Sequence, residues 1–170
     1  IDWPSKPGLP VAVLREEMQR ILTTARQLKL NAVILQVRPA ADAIYPSQFE
    51  PWSEYLSGRQ GVAPGDGCDP LAEWVKAAHA SGIELHAWFN PYRARHASAK
   101  SPLAAQHVAN THPQIVKTYG DMLWMDPGEE QAAARTLAVI ADVVRRYDVD
   151  GVHIDDYFYP YPIKATGDRA

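Results

Sequence analysis

Only one cysteine, Cys68, occurs in the 170 residues, so an internal disulfide and a cysteine-built zinc cluster are both excluded. There is no surplus of positive charge. The 17 Lys and Arg are scattered and outnumbered by 20 Asp and Glu, for a net charge of -3. That balance speaks against a nucleic-acid partner or an anionic membrane surface. No apolar run approaches the roughly 20 residues of a membrane-spanning helix. No low-complexity segment interrupts the chain. Residues themselves are few for one architecture, since a closed eight-stranded α/β barrel usually takes about 250. What is present, 46% hydrophobic and 22% charged residues, suffices for one domain with a real core. The chain begins at Ile1 rather than Met. No signal peptide is visible, and removal of one with a preceding piece stays open.

The run from Asp150 to Pro160 carries the most information. Val149, Val152 and Ile154 read as a buried β-strand, which runs into Asp155, Asp156, Tyr157 and Tyr159 before Pro160 stops it. Alternate strand residues share a face. Val152 and Ile154 are therefore expected to face a helical layer or core, with Gly151, His153 and Asp155 opposite. A polar inner face that sharpens toward the C-terminal end fits an α/β-barrel strand at its mouth.

The rest of the chain repeats that design. After a loop broken by Pro4, Pro7 and Gly8, Leu14, Met18, Ile21, Leu22, Ala25 and Leu28 fall at helical spacing. Ala32 to Val37 reads as a buried strand ending at Arg38-Pro39. Residues 40 to 68 show no period and read as a long functional loop or lid. Asp69-Pro70 caps a helix with Leu71, Trp74, Val75 and Ala78 as its core stripe and Gly82 as its stop. Ile83 to Phe89 is the next strand. Pro102 to Ala109 is expected as a short helix, and Ile115 to Thr118 with Met122 to Met125 as a hairpin across Gly120. Residues 129 to 147 are helical, with Ala133, Leu137, Ile140, Ala141 and Val144 on one face. Residues 163 to 170 form a polar tail, after a domain spanning 1 to 162. Strands alternating with helices imply βαβ crossovers and a parallel sheet.

Strand parity gathers the polar groups. Gln36 and Arg38 share one face, as do His86, Trp88 and Asn90, and again His153, Asp155 and Tyr157. Three strands thus agree on one polar mouth. Plainer roles compete at several positions. His86 and His153 are either hydrogen-bonded interior residues or catalytic ones. Arg38 is either a substrate contact or the structural partner of Asp155, because a buried arginine needs a carboxylate. Trp88 could fill a barrel. Trp74 belongs to the core, Asp69 to a helix cap, and Asp150 tethers the strand's start. Strict alternation turns Asp156 away from Asp155 unless the chain has left the strand by then. Carboxylates beside aromatic rings suit sugars, whose apolar faces stack on Trp and Tyr while Asp, Asn and Arg bind hydroxyl rims.

Six segments carry a family resemblance: Asp-Trp-Pro at 2–4, Gln-Val-Arg-Pro at 36–39, Asp-Pro-Leu at 69–71, His-Ala-Trp-Phe-Asn-Pro-Tyr-Arg at 86–93, Trp-Met-Asp-Pro-Gly at 124–128 and the run from Asp150 to Pro160. Together they resemble the glycosyl-hydrolase-like 10 family of bacterial envelope proteins, often lipoproteins. More distantly, the last run is similar to the family 18 chitinases, whose strand reads Asp-Gly-x-Asp-x-Asp-x-Glu. Asp150, Gly151 and Asp155 match that pattern. His153 replaces its middle Asp, and Tyr157 stands at its catalytic Glu. The proton donor is then Asp155, Asp156 or a residue outside this chain.

The resemblance implies a TIM-type (β/α)8 barrel, of which the chain holds about half: the loop after strand one through strand four. It implies a glycosidase acting on a bacterial polysaccharide, with peptidoglycan glycan strands as the expected substrate class. Location would be the cell envelope, periplasmic or lipid-anchored, or secretion. No cofactor or metal is expected. Asp155 and Asp156 form the expected acidic centre. Arg38, His86, Asn90 and Tyr157 would orient substrate or tune the acid. Trp3, Tyr45, Trp88, Tyr92 and Tyr159 are expected sugar platforms, and Asp2, Arg93 and His153 further substrate contacts. Two rivals remain: a metal-dependent hydrolase or deacetylase using His86, His153 and Asp155, and a carbohydrate-binding protein without catalysis. An open sheet of about three strands also leaves bare edges, so self-association is expected.

Overall fold

A computed structural model describes residues 2–65, 67–155, 158–160 and 162. The first helix, α1 (Val11–Gln27), buries Val11, Leu14, Met18, Leu22 and Ala25 along one stripe. It starts after Pro10 without a side-chain cap. Instead, buried Glu17 accepts from the Ser5 backbone N–H at 3.0 Å and from the Ser5 hydroxyl, fastening the opening loop to the helix. Strand β1 (Ala32–Arg38) follows. The segment after it, read as period-free, holds an isolated bridge between Ala43 and Trp52 and the short helix α2 (Glu54–Ser57). Helix α3 (Pro70–Ala80) starts as its sequence dictates, with the Asp69 carboxylate accepting from the Ala72 N–H at 3.1 Å.

Strand β2 (Glu84–Phe89) runs parallel to β1. Then comes a strand without a sequence signal, β3 (Arg93–Arg95). The short helix expected at 102–109 lies at α4 (Val108–Thr111), because the His107 ring accepts from the Ala109 N–H at 3.1 Å and sets the start there. The hairpin forms as β4 (Val116–Tyr119) and β5 (Met122–Met125), antiparallel around Gly120. Helix α5 (Glu130–Arg146) leads to β6 (Gly151–Ile154).

Two sheets result: parallel β1-β2-β6, and antiparallel β3-β5-β4. One face of the parallel sheet, through Val33, Leu35, Val37, Leu85, Ala87 and Phe89, packs against α1, α3 and α5 in the main core. A smaller core around Ala94, Val108, Ile115 and Met125 supports the antiparallel sheet.

Two expectations need correction. On α5 the buried stripe is Ala132, Thr136, Val139 and Val143, one position off the expected face, while Leu137 is 66% exposed and Val144 52%. Its Ala, Val, Leu and Ile residues offer two overlapping apolar stripes, and on the buried one the Thr136 hydroxyl donates to the Pro91 carbonyl at 2.6 Å. Val152 and Ile154 register with Ala87 and Phe89 and so point to the helical side. Yet they are 40% and 46% exposed, because no described helix covers that part of the sheet.

Asp150 sits where expected, at the start of β6. Its carboxylate accepts from the Leu85 N–H at 2.8 Å and contacts His79 Nε2 at 2.8 Å. The His79 contact, then the Leu85 N–H, hold its pKa below the usual carboxylate range. Gly151, one residue on, faces His86, and a Cβ there would lie 2.7 Å from His86 Nδ1. Gly151→Ala should therefore lower stability by about 1–3 kcal/mol through overpacking. An unchanged urea midpoint would mean that the strands spread without cost.

Candidate active site

The C-terminal ends of β1, β2 and β6 carry the polar groups that the sequence singles out. Trp88 registers with His153 across β2 and β6. Its indole N–H donates to Asp155 Oδ2 at 3.1 Å, and both residues are partly exposed. Lower on the same face, His86 Nε2 meets Glu84 Oε2 at 3.0 Å, and His86 Nδ1 meets His153 Nε2 at 2.8 Å. An N···N hydrogen bond needs one donor and one acceptor, so the two imidazoles share one bridging proton. The two rings are hydrogen-bonded to each other and partly exposed. Among the described residues there is no group of three or more His, Cys, Asp or Glu side chains that could hold a metal.

Arg38 departs from the expected set. The register of β1 against β2 slips between Gln36 and Arg38, so Gln36 still lies opposite Trp88 but Arg38 lies opposite Phe89. A bulge of this kind breaks strict alternation, and Arg38 turns away from the mouth into full burial. Its partner is Glu50 rather than Asp155, with Arg38 Nε and Nη2 donating to the two carboxylate oxygens at 2.7 and 2.5 Å. Nη1 donates to the carbonyls of Asn90 and Pro91 at 2.5 and 3.1 Å. Burial alone would lower the Arg38 pKa, but Glu50, helped by Tyr45 and Asp42, reverses this and raises it.

Asn90 is also fully buried. Its Oδ1 accepts from the Tyr92 and Arg93 N–H groups at 3.2 and 2.8 Å, fixing the turn that follows β2. Its Nδ2 finds no partner among the described residues. Tyr45 is fully buried against Tyr147. Trp3 is 7% exposed, edge-on to Trp74, and donates its N–H to the Leu14 carbonyl at 3.2 Å. Arg38, Asn90 and Tyr45 thus present no surface to a sugar, and Trp3 presents little.

Asp2, Arg93 and Trp88 stay near the surface. Asp2 accepts from Gln36 Nε2 at 3.0 Å. Arg93 Nε donates to the Pro39 carbonyl at 2.9 Å. Together with Gln36, Tyr55 and His96 they line a cavity of about 380 Å³ beside the end of β1, Trp88 excepted. Tyr92 packs edge-on to Phe158, and Tyr159 is 67% exposed. Asp156 and Tyr157 lie outside the described residues.

The sequence model of the family described as "Glycosyl hydrolase-like 10" matches residues 1–169. The chain belongs to the glycosyl hydrolase-like 10 family. A Bacillus subtilis (strain 168) relative named glycosyl hydrolase YngK is 46% identical over 164 residues, covering 96% of this chain and 32% of its own. Glycosyl hydrolase DigH of Escherichia coli (strain K12) is 35% identical, over 94% of this chain and 39% of its own. The chain thus spans about a third of the length of these relatives. Among solved structures, a maltogenic α-amylase, AmyB, from Thermotoga neapolitana superposes with a TM-score of 0.56 at 13% identity, covering 91% of this chain and 36% of that one. α-L-Fucosidase isoenzyme 2 from Paenibacillus thiaminolyticus gives 0.53 at 14%, covering 83% and 20%. At these identities the likeness concerns the mixed α/β fold.

In this glycosyl hydrolase-like 10 chain, sequence reasoning missed the residues around Arg38. Glu50 stands in a loop, and nothing in its spacing marks it as a partner. Arg135 on α5 approaches Glu50 at 3.7 Å. Asp42 is buried and accepts from the Ala40 N–H at 3.0 Å, and burial pushes its pKa up to about 6. His96 was also missed. Burial, then Arg93, lowers its pKa, which keeps the ring neutral at ordinary pH. A signal was available for Glu50 in principle, since a buried arginine demands a carboxylate somewhere. Glu50→Ala strands the Arg38 charge, and should cost about 3–5 kcal/mol in chemical denaturation. A loss below about 1 kcal/mol would show that the Asp42 carboxylate or water takes over the pairing.

Proposed function

We propose that the protein of which this chain is part is a glycoside hydrolase, with Asp155 as its acid. One observation carries the reading: a carboxylate at the C-terminal end of a parallel strand, oriented by the N–H of a partly exposed tryptophan on the same face. Trp88 offers an apolar surface for a sugar ring, and its N–H orients the Asp155 carboxyl, which would exchange a proton with a glycosidic oxygen. Cleavage by this route needs a proton donor and normally a second carboxylate. Asp156 is the proposed second member, or a carboxylate in the remainder of the protein. Asp2, Gln36 and Arg93, on the wall of the neighbouring cavity, would bind hydroxyl or acyl groups of the substrate.

Three parallel strands in consecutive order with helices between them support a (β/α)8 barrel completed by further strands of the longer protein. Exposed Val152, Ile154, Leu137 and Val144 would then meet the next helix. The substrate proposed is the glycan strand of peptidoglycan, and the location the cell envelope or the exterior.

In the full-length protein, Asp155→Asn should cut the release of reducing ends from purified glycan strands by about 10²–10⁴-fold, with the thermal midpoint unchanged. Near-normal turnover would move the chemistry elsewhere, and unfolding would make Asp155 a structural acceptor for Trp88. Glycan binding by a wild-type protein without any turnover would favour the non-catalytic binding module. The isolated 170-residue chain, with β1 and β6 as open edges, should self-associate. Sedimentation as a single 18.9 kDa species at all concentrations would remove that proposal.

A further inference from the structure

The antiparallel sheet is more than a support for the mouth. Arg93 of β3 registers with Trp124 of β5, and Trp124 with Lys117 of β4. Directly opposed residues in antiparallel strands project to the same side, so Arg93, Trp124 and Lys117 form one row across the three strands. Arg93 lines the cavity beside β1. Trp124 and Lys117 line a second cavity, of about 300 Å³, together with Tyr119, Asp126 and Tyr159. The row therefore joins the two hollows. At about 4.8 Å per strand, it covers about 10 Å, enough for roughly two linked sugar rings.

The second hollow has the chemistry of a sugar site. Trp124 supplies an apolar wall and is only 4% exposed. Its N–H donates to the Phe158 carbonyl at 2.9 Å, which brings the segment after β6 against the hairpin. Tyr159, next in the chain, is 67% exposed on the rim. An open tyrosine ring suits the apolar face of a pyranose, with its hydroxyl at the wet edge. Lys117 and Asp126 add one charge of each sign, which suits hydroxyl and amide groups better than a strongly charged ligand.

We propose that this hollow is a distal subsite for a glycan chain whose reacting bond lies at Asp155, with Tyr159 as the stacking platform and Lys117 as a donor to the sugar rim. The proposal rests on the glycosidase reading and adds to it a second point of grip on the glycan strand, away from the reacting bond. Nothing about Asp155 requires a long substrate, so a length effect is separable from the chemistry.

The test uses the full-length protein carrying Asp155→Asn, so that ligand is not consumed. Binding of denuded peptidoglycan strands trimmed to two and to six sugars is measured by calorimetry, with and without Tyr159→Ala and Lys117→Ala. Both side chains are exposed, so their truncation leaves the cores intact. Expected is a roughly tenfold weaker hexasaccharide, about 1.4 kcal/mol, with disaccharide binding unchanged. Equal loss at both lengths, or none at either, overturns the subsite and leaves the glycosidase reading standing. If the protein with both side chains intact binds neither length, the substrate reading falls and the subsite with it.

Discussion

The ion pair between Arg38 and Glu50 is the constraint on which the mouth of the sheet depends. Both side chains are fully excluded from water, where an unpaired charge costs several kcal/mol. The two-pronged contact satisfies this with the strong, planar geometry that guanidinium and carboxylate share. The remaining guanidinium N–H groups reach the carbonyls of Asn90 and Pro91. Pro91 in turn accepts from Thr136 on α5, and Arg135 closes on Glu50 from the same helix. Four separate parts of the chain are thereby tied at one point: the end of β1, the loop beyond it, the turn after β2, and α5. A pair of this kind adds little net stability over a well-packed apolar set, but it admits few alternative arrangements. That selectivity is what a mouth built from loops needs.

The bulge at the end of β1 is the backbone counterpart of that pair. Without the register slip between Gln36 and Arg38, Arg38 would project beside Gln36 toward the open face. With it, the open face keeps Gln36, and the arginine serves the structure beneath. Asn90 makes a similar trade on β2, since its side chain caps the Tyr92 and Arg93 N–H groups instead of reaching outward. Among the described residues, Trp88 and Asp155 are left at the mouth, with His86 and His153 lower on the same face and Gln36, Asp2 and Arg93 along the neighbouring wall.

These departures mark how far the pattern of residues reaches. Period-two alternation located the faces of β2 correctly, because β2 is regular and its helical side is covered. It failed at Arg38, because a one-residue bulge inverts parity and leaves no local trace in the sequence. Caps were legible where a short polar side chain precedes the helix, as at Asp69. The rotation of α5 was not, because its Ala, Val and Leu residues offer more than one apolar stripe, and the buried one includes Thr136. Buried Tyr45 and Trp3 were read as platforms because an aromatic in a long loop looks the same whether it packs inward or outward. Glu50 was invisible for the opposite reason: a loop glutamate ordinarily belongs to water, and only the Arg38 charge draws it inside.

The two sheets divide the work at Arg93. The parallel sheet, backed by the larger core, holds Trp88 and Asp155 on strands whose positions are fixed by ladder hydrogen bonds on both sides of β2. The antiparallel sheet is smaller, rests on its own core and meets the parallel one through the turn that Asn90 caps. Chemistry demands tenths of an ångström between reacting groups, so it belongs on the first. Grip on a flexible polymer, as proposed above, would tolerate more play, and exposed Lys117 of the hairpin and Tyr159 beyond β6 are placed to supply it. The long excursion between β2 and α5 is then accounted for by what it carries. Its length builds a second surface beside the mouth, and the Trp124 N–H bond to the Phe158 carbonyl fastens that surface to the chain beyond β6.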